Sequence, residues 1–120
     1  MRTAGIGCRG AVTIASLQDA LHKAGGNADR LATLPEKAAL PAVQEFAHAL
    51  GLPLIETPKD ILATQTTLTQ SPTIQSRFGI GSVAEAAALA ASRPGARLTG
   101  PRVISADGLA TAAIAEGPDT

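Results

Sequence analysis

Short apolar runs of strand character alternate with helix-period segments along most of the chain, and that alternation limits the folds open to it. The first run ends in Thr3-Ala4-Gly5-Ile6-Gly7-Cys8-Arg9-Gly10. This reads as the end of a strand, a glycine turn and the run-in to a helix. Gly5, Gly7 and Gly10 lack a Cβ and would let the backbone turn tightly with φ > 0. Such a turn bares amides ahead of a helix N-terminus, where amides and helix dipole favour an anion. Arg9 adds a planar cation suited to carboxylate or phosphate.

Thr13 is placed to cap the helix that follows, and Ile14, Leu17 and Leu21 make one apolar stripe on it. Gly25-Gly26-Asn27 ends the helix. Residues 31–34 read as a second strand closed by Pro35, and a helix opens near Pro41 with Gly51 as its stop. Residues 52–55 read as a third strand. Thr57-Pro58-Lys59-Asp60 then reads as a cap, a first-turn proline and a short helix. Residues 63–70 carry no clear period and read as a loop, and Ser71-Pro72 opens a short helix with Ile74 and Phe78. Ser82 and Glu85 match a capping box ahead of an alanine-rich helix. Two short strands follow, over 97–99 and 102–104. An Asp107-Gly108 turn then leads into a returning strand over 110–115. The order predicts a three-layer α/β/α sandwich around a mixed, mainly parallel sheet of about five strands, with a C-terminal antiparallel hairpin. One domain over 1–116 and a disordered tail over 117–120 are expected.

Composition narrows the function classes. The chain has 120 residues with no Trp or Tyr and only Phe46 and Phe78 as aromatic rings, so a surface stacking nucleobases is not expected. Ten basic and ten acidic residues cancel, which removes a global pull toward nucleic acid or membrane. One cysteine leaves no internal disulfide and no Cys-rich zinc site. His22 and His48 lie on different helices beside no acidic cluster, so neither is assigned to a metal. No cofactor is expected. No signal peptide or membrane span is read, which points to the cytoplasm.

Gly5-x-Gly7-x-x-Gly10 formally matches the dinucleotide fingerprint, but Pro35 stands where the acid ending the second strand belongs, with Glu36 one place late. The alternatives are a glycine turn serving only the fold and an anion-binding turn for another ligand. Cys8 sits in a turn whose positive charge would lower a thiol pKa, yet no His lies near it in sequence to complete a nucleophile pair; the simpler reading is a small residue in a tight turn. Lys37, just past the second strand, stands at the sheet edge where α/β proteins bind ligands, or is a solvated loop lysine. Glu85 is a capping residue in the simplest reading. Arg97 and Arg102 belong either to the site or to a solvated edge strand.

Gly5-Ile6-Gly7-Cys8-Arg9 resembles the opening of the CobE family and of the C-terminal domain of CbiG, both from cobalamin biosynthesis. Lys37-Ala38 with Pro41, and the run from Leu50 to Leu54, are similar to the family's next passages. Gly81-Ser82-Val83-Ala84-Glu85-Ala86-Ala87-Ala88-Leu89 is the most specific match. Residues 95–98, Pro101-Arg102 and 110–115 extend the resemblance over nearly the whole chain. The family often carries a second basic residue and a glycine where this chain has Gly10 and Ala11, and acidic residues where it has Ala39 and Leu40.

The resemblance implies a role in building the corrin ring, whose intermediates carry several peripheral carboxylates. The chain is too short to hold both parts of a CbiG-type protein and looks like the stand-alone form of the aerobic route. The expected ligand is therefore an anionic tetrapyrrole intermediate of the corrinoid pathway. Gly5, Gly7, Cys8, Arg9, Gly10, Lys37, Gly81, Ser82 and Glu85 are its expected binding residues, and other enzymes of the pathway are possible partners. No catalytic residue is assigned. The alternatives are a hydrolase acting on a precorrin, as in CbiG-type lactone opening, with Cys8, Lys37 or Glu85 as the reactive group, and a small nucleotide-binding module.

Overall fold

The structure, a computed structural model, describes residues 1–65, 67–70, 82–92 and 95–117. The first strand, β1 (Arg2–Cys8), runs through the glycines instead of stopping before them. Neither Gly5 nor Gly7 has a positive φ. This corrects the expectation of a glycine turn: both are strand residues. The turn lies one step later, where the Val12 amide donates to the Arg9 carbonyl at 3.1 Å across Gly10 and Ala11.

Helix α1 (Ile14–Ala24) starts at the expected cap, with the Thr13 hydroxyl accepting the Ser16 amide. It ends at Gly25 and Gly26, with φ of +132° and +81°. After β2 (Arg30–Thr33) the chain makes a single helical turn, α2 (Pro35–Ala38), and then α3 (Pro41–Leu50), closed by left-handed Gly51. β3 (Leu54–Glu56) and α4 (Lys59–Leu62) follow. The expected Thr57 cap of α4 is not made, because the Thr57 hydroxyl donates instead to the Thr33 carbonyl at 2.9 Å. The alanine-rich helix is α5 (Val83–Ala90), and β4 (Arg97–Leu98), β5 (Val103–Ile104) and β6 (Ala110–Glu116) complete the chain. The expected short helix at 71–78 and Gly81 lie outside the described residues.

Among the described residues the sheet has six strands in the order β3-β2-β1-β6-β4, with β5 also on β6. The β1–β2 and β2–β3 pairings are parallel, and β6 pairs antiparallel with β1, β4 and β5. β6 is thus a central strand, and β5–β6 is the expected C-terminal hairpin. The sheet is mixed as read from the sequence, with one strand more.

Strand alternation sorts the core into two layers. Ala4 and Ile6 of β1, Leu31 of β2 and Ala112 and Ile114 of β6 pack with Leu17, Leu21, Val43 and Phe46 of α1 and α3. On the other face Ala32 and Leu34 pack with Leu62 of α4 and with Val83, Ala86 and Ala87 of α5. Gly5 and Gly7 face this second layer. A Cβ on Gly5 would lie 1.8 Å from the Ala84 carbonyl oxygen, so the glycine is what admits α5 to the sheet.

Candidate functional site

The C-terminal ends of β1 and β2 meet side by side, with α1 following one strand and α2 the other. In an open α/β sheet this edge is where ligands bind. Here the rim consists of Cys8 at the end of β1, the exposed turn Arg9-Gly10-Ala11, and Lys37 on α2. Cys8 and Lys37 are half-buried.

Cys8 packs against the α1–α3 layer. Burial pushes its thiol pKa up, and the nearby Lys37 ammonium pulls the other way without cancelling the rise. The expectation of a lowered thiol pKa is therefore corrected: the side chain turns into the apolar layer. The one cation acting on it comes from β2's side of the rim. At neutral pH this cysteine is a thiol and a poor nucleophile.

The Arg9 amide is already used, donating to the Leu109 carbonyl at 2.9 Å and extending the β1–β6 ladder. Gly7 is paired with Thr111 in the same ladder. The Arg9 side chain and the exposed Gly10-Ala11 backbone are the parts of the segment open to a ligand. With Gly5 and Gly7 inside the strand, the turn geometry of a dinucleotide fingerprint is not formed.

Ser82 and Glu85 sit on the first turn of α5, above Gly7, where a Cβ would be 3.7 Å from the Ala84 amide nitrogen. Both are fully buried. Half of the capping box forms: the Ser82 hydroxyl accepts the Glu85 amide at 3.3 Å. The Glu85 carboxylate does not return to the Ser82 amide. Its Oε1 accepts the amides of Leu68 at 2.6 Å and Thr69 at 2.8 Å. Its Oε2 accepts the Thr69 hydroxyl at 2.5 Å and the Arg102 amide at 2.7 Å. Burial raises the pKa of this carboxyl, but the bonds from Thr69, Arg102 and Leu68 outweigh it and hold the pKa below its ordinary value. Four donors fill the acceptor capacity of a carboxylate, so Glu85 offers no free lone pair to a substrate proton.

The expected residues thus separate into two groups. Cys8, Arg9, Gly10 and Lys37 stand at the C-terminal edge of β1 and β2, while Gly5, Gly7, Ser82 and Glu85 are buried where α5 packs on the sheet. Sequence reading missed the three segments that meet at Glu85, because its partners lie 16 and 17 residues away. Arg102 is bound to Glu85 through its backbone, and Arg97 is exposed on the edge strand. The described residues contain no group of His, Cys, Asp and Glu able to hold a metal ion, and no helix long and apolar enough to cross a membrane.

Comparison with known proteins places this geometry. A family model described as the cobalamin synthesis G C-terminus matches residues 3–115. The crystal structure of CobE, a protein from the cobalamin biosynthetic pathway, superimposes with a TM-score of 0.81 at 30% identity, covering 98% of this chain and 91% of that one. The cobalamin biosynthesis protein chiG from Agrobacterium tumefaciens str. C58 superimposes with a TM-score of 0.74 at 38% identity, covering 99% and 100%. No curated protein matches the chain.

Proposed function

This chain belongs to the family of the cobalamin synthesis G C-terminus, and from that membership we propose that it binds an anionic corrin-ring intermediate at the β1–β2 rim. The observation that carries the reading is that Arg9, just past β1, and Lys37, on the helical turn after β2, both stand at the C-terminal edge of two paired strands, with Lys37 close enough to Cys8 to act on its thiol. Corrin intermediates bear several peripheral carboxylates, and a guanidinium and an ammonium set apart on one rim can hold two of them. The exposed Gly10-Ala11 backbone lets a bulky ligand approach without steric cost.

Binding is favoured over hydrolysis by the state of two of the three reactive candidates. Cys8 is held as a thiol, and the Glu85 lone pairs are all engaged. Other enzymes of the pathway are the natural partners of a protein that holds an intermediate without transforming it.

Titration of the purified protein with hydrogenobyrinic acid, followed by the ligand's visible spectrum, tests the reading. Saturable binding that weakens in Arg9→Ala and in Lys37→Ala, and weakens further with salt, is the expected result. An unchanged spectrum at saturating ligand would overturn it.

A further inference from the structure

Arg9, Gly10 and Ala11 are all exposed, and a Cβ on Gly10 would meet nothing within 4 Å. A turn this open, with a glycine at its middle, keeps one shape only through the bonds at its ends. At the first end the Arg9 amide donates to the Leu109 carbonyl at 2.9 Å. At the second, just past buried Val12, the Thr13 amide donates to the Ser16 hydroxyl oxygen at 3.4 Å.

Both ends lead to one carboxylate. Asp107, at the tip of the β5–β6 hairpin, accepts on Oδ1 the Leu109 amide at 3.0 Å and the Ser105 hydroxyl at 2.6 Å. Its Oδ2 accepts the Ser16 hydroxyl at 2.5 Å. The first contact holds the residue whose carbonyl receives Arg9. The second takes the one proton of the Ser16 hydroxyl and so turns its lone pairs toward Thr13. Ser16 and Ser105 are buried, while Asp107 is exposed. A second carboxylate, Asp19 of α1, accepts the Ala106 amide at 2.7 Å. It ties the same hairpin tip to α1 but accepts from neither Leu109 nor Ser16.

We propose that Asp107 is the positioning residue of the binding rim: through Leu109 and Ser16 it fixes the Arg9-Gly10-Ala11 turn in the shape that receives a ligand carboxylate. The proposal rests on the corrinoid-site reading and adds to it a residue that the ligand does not touch. A turn fixed beforehand binds more tightly because less conformational entropy is lost on binding. Charge alone argues the other way. Asp107 is an anion near an anion's site, so its removal would tighten binding by Coulomb's law. Positioning and charge therefore predict changes of opposite sign.

Two measurements on Asp107→Ala and Asp107→Asn, with Asp19→Ala as control, test the proposal. The first is amide hydrogen exchange in the free protein. In Asp107→Ala the Arg9 and Thr13 amides should exchange about tenfold faster, while the rest of the β1–β6 ladder keeps wild-type rates and shows the fold intact. Asp19→Ala loosens the hairpin at Ala106 and should leave Arg9 and Thr13 unchanged. The second is titration with hydrogenobyrinic acid. Asp107→Ala should bind about fivefold more weakly despite losing a negative charge. Asp107→Asn keeps an oxygen for Leu109 and Ser105 and should recover affinity. Unchanged exchange at Arg9 and Thr13 in Asp107→Ala, or the same acceleration in Asp19→Ala, overturns the proposal. If the wild type binds and Arg9→Ala weakens binding, but Asp107→Ala binds as tightly as the wild type or more so, the proposal fails and the cationic site stands. If the wild type does not bind, the corrinoid reading fails and takes the role of Asp107 in binding with it.

Discussion

Gly5 and the Ala84 carbonyl oxygen approach so closely that a Cβ on the glycine would lie 1.8 Å from that oxygen, with the Ala88 amide nitrogen at 2.6 Å. Both neighbours are helix backbone and cannot step aside without moving α5. A Cβ on Gly7 would meet the Thr111 hydroxyl at 2.5 Å, the end of a side chain that can rotate, and a Cβ on Gly10 would meet nothing within 4 Å.

A graded alanine series follows. Gly5→Ala should destabilise by about 3 kcal/mol, Gly7→Ala by about 1 kcal/mol, and Gly10→Ala by less than about 0.5 kcal/mol. Urea unfolding measures all three. Equal costs at the three positions would contradict the close-packing role assigned to Gly5.

Glu85 is buried as a charge with no cation paired to it among the described residues, and four donors depend on it. Glu85→Gln turns an NH2 group toward those donors, and Glu85→Ala leaves them unpaired. Each should cost about 3 kcal/mol and lower Tm by about 10 °C or more. A Tm within a degree of wild type would show that the donors find other partners.

The same carboxylate sets part of the acid limb of stability. Its pKa is lowered in the fold, as are those of Asp19, through the Ala106 amide and Lys23, and Asp107, through Ser105 and Ser16. A carboxyl depressed by folding stabilises the protein above its unfolded pKa, about 4.3 for Glu. That contribution is lost as pH falls through the folded value, where the native state must take up a proton. Stability should therefore decline with acid below about pH 4.5, and Glu85→Gln should flatten the decline. An identical pH slope in the variant would contradict the shift.

Cys8 should react slowly. With the thiol pKa raised by burial, alkylation by iodoacetamide at pH 7.5, a pH chosen as about one unit below the free thiol's pKa, should be slower than that of free cysteine. Lys37→Ala removes the cation that opposes the rise and should slow it further. Faster alkylation in the variant would mean that Lys37 does not act on the thiol. A ligand on the rim should protect Cys8.

Features governed by neighbours in sequence were legible. The Thr13 and Ser82 caps, the stops at Gly25-Gly26 and Gly51, and the turn at Asp107-Gly108 each follow from chemistry within a few residues. The role of Gly5 and Gly7 was not, because a glycine admitting a helix and a glycine making a turn look alike in one dimension. Their spacing of two, interleaved with Ala4 and Ile6, was the available signal: it is strand alternation with one face stripped to hydrogen. Thr57 and Glu85 defied local reading for one shared reason. Each has a plausible partner nearby and a better one brought in by the fold, Thr33 in the first case and Leu68, Thr69 and Arg102 in the second. The rim was half legible: Arg9 and Lys37 stand at strand ends that the alternation of elements predicts, while the turn of the Cys8 side chain into the α1–α3 layer emerges only in three dimensions.

Mapping hydrogenobyrinic acid onto the protein by amide chemical shifts in a 1H–15N NMR titration tests the central claim most directly. The account predicts saturable shifts concentrated at Cys8, Arg9, Gly10, Ala11 and Lys37, and none at Arg2, Asp29 or Glu116 at the opposite end of the sheet. Shifts confined to that opposite end, or no shifts at all, would contradict it.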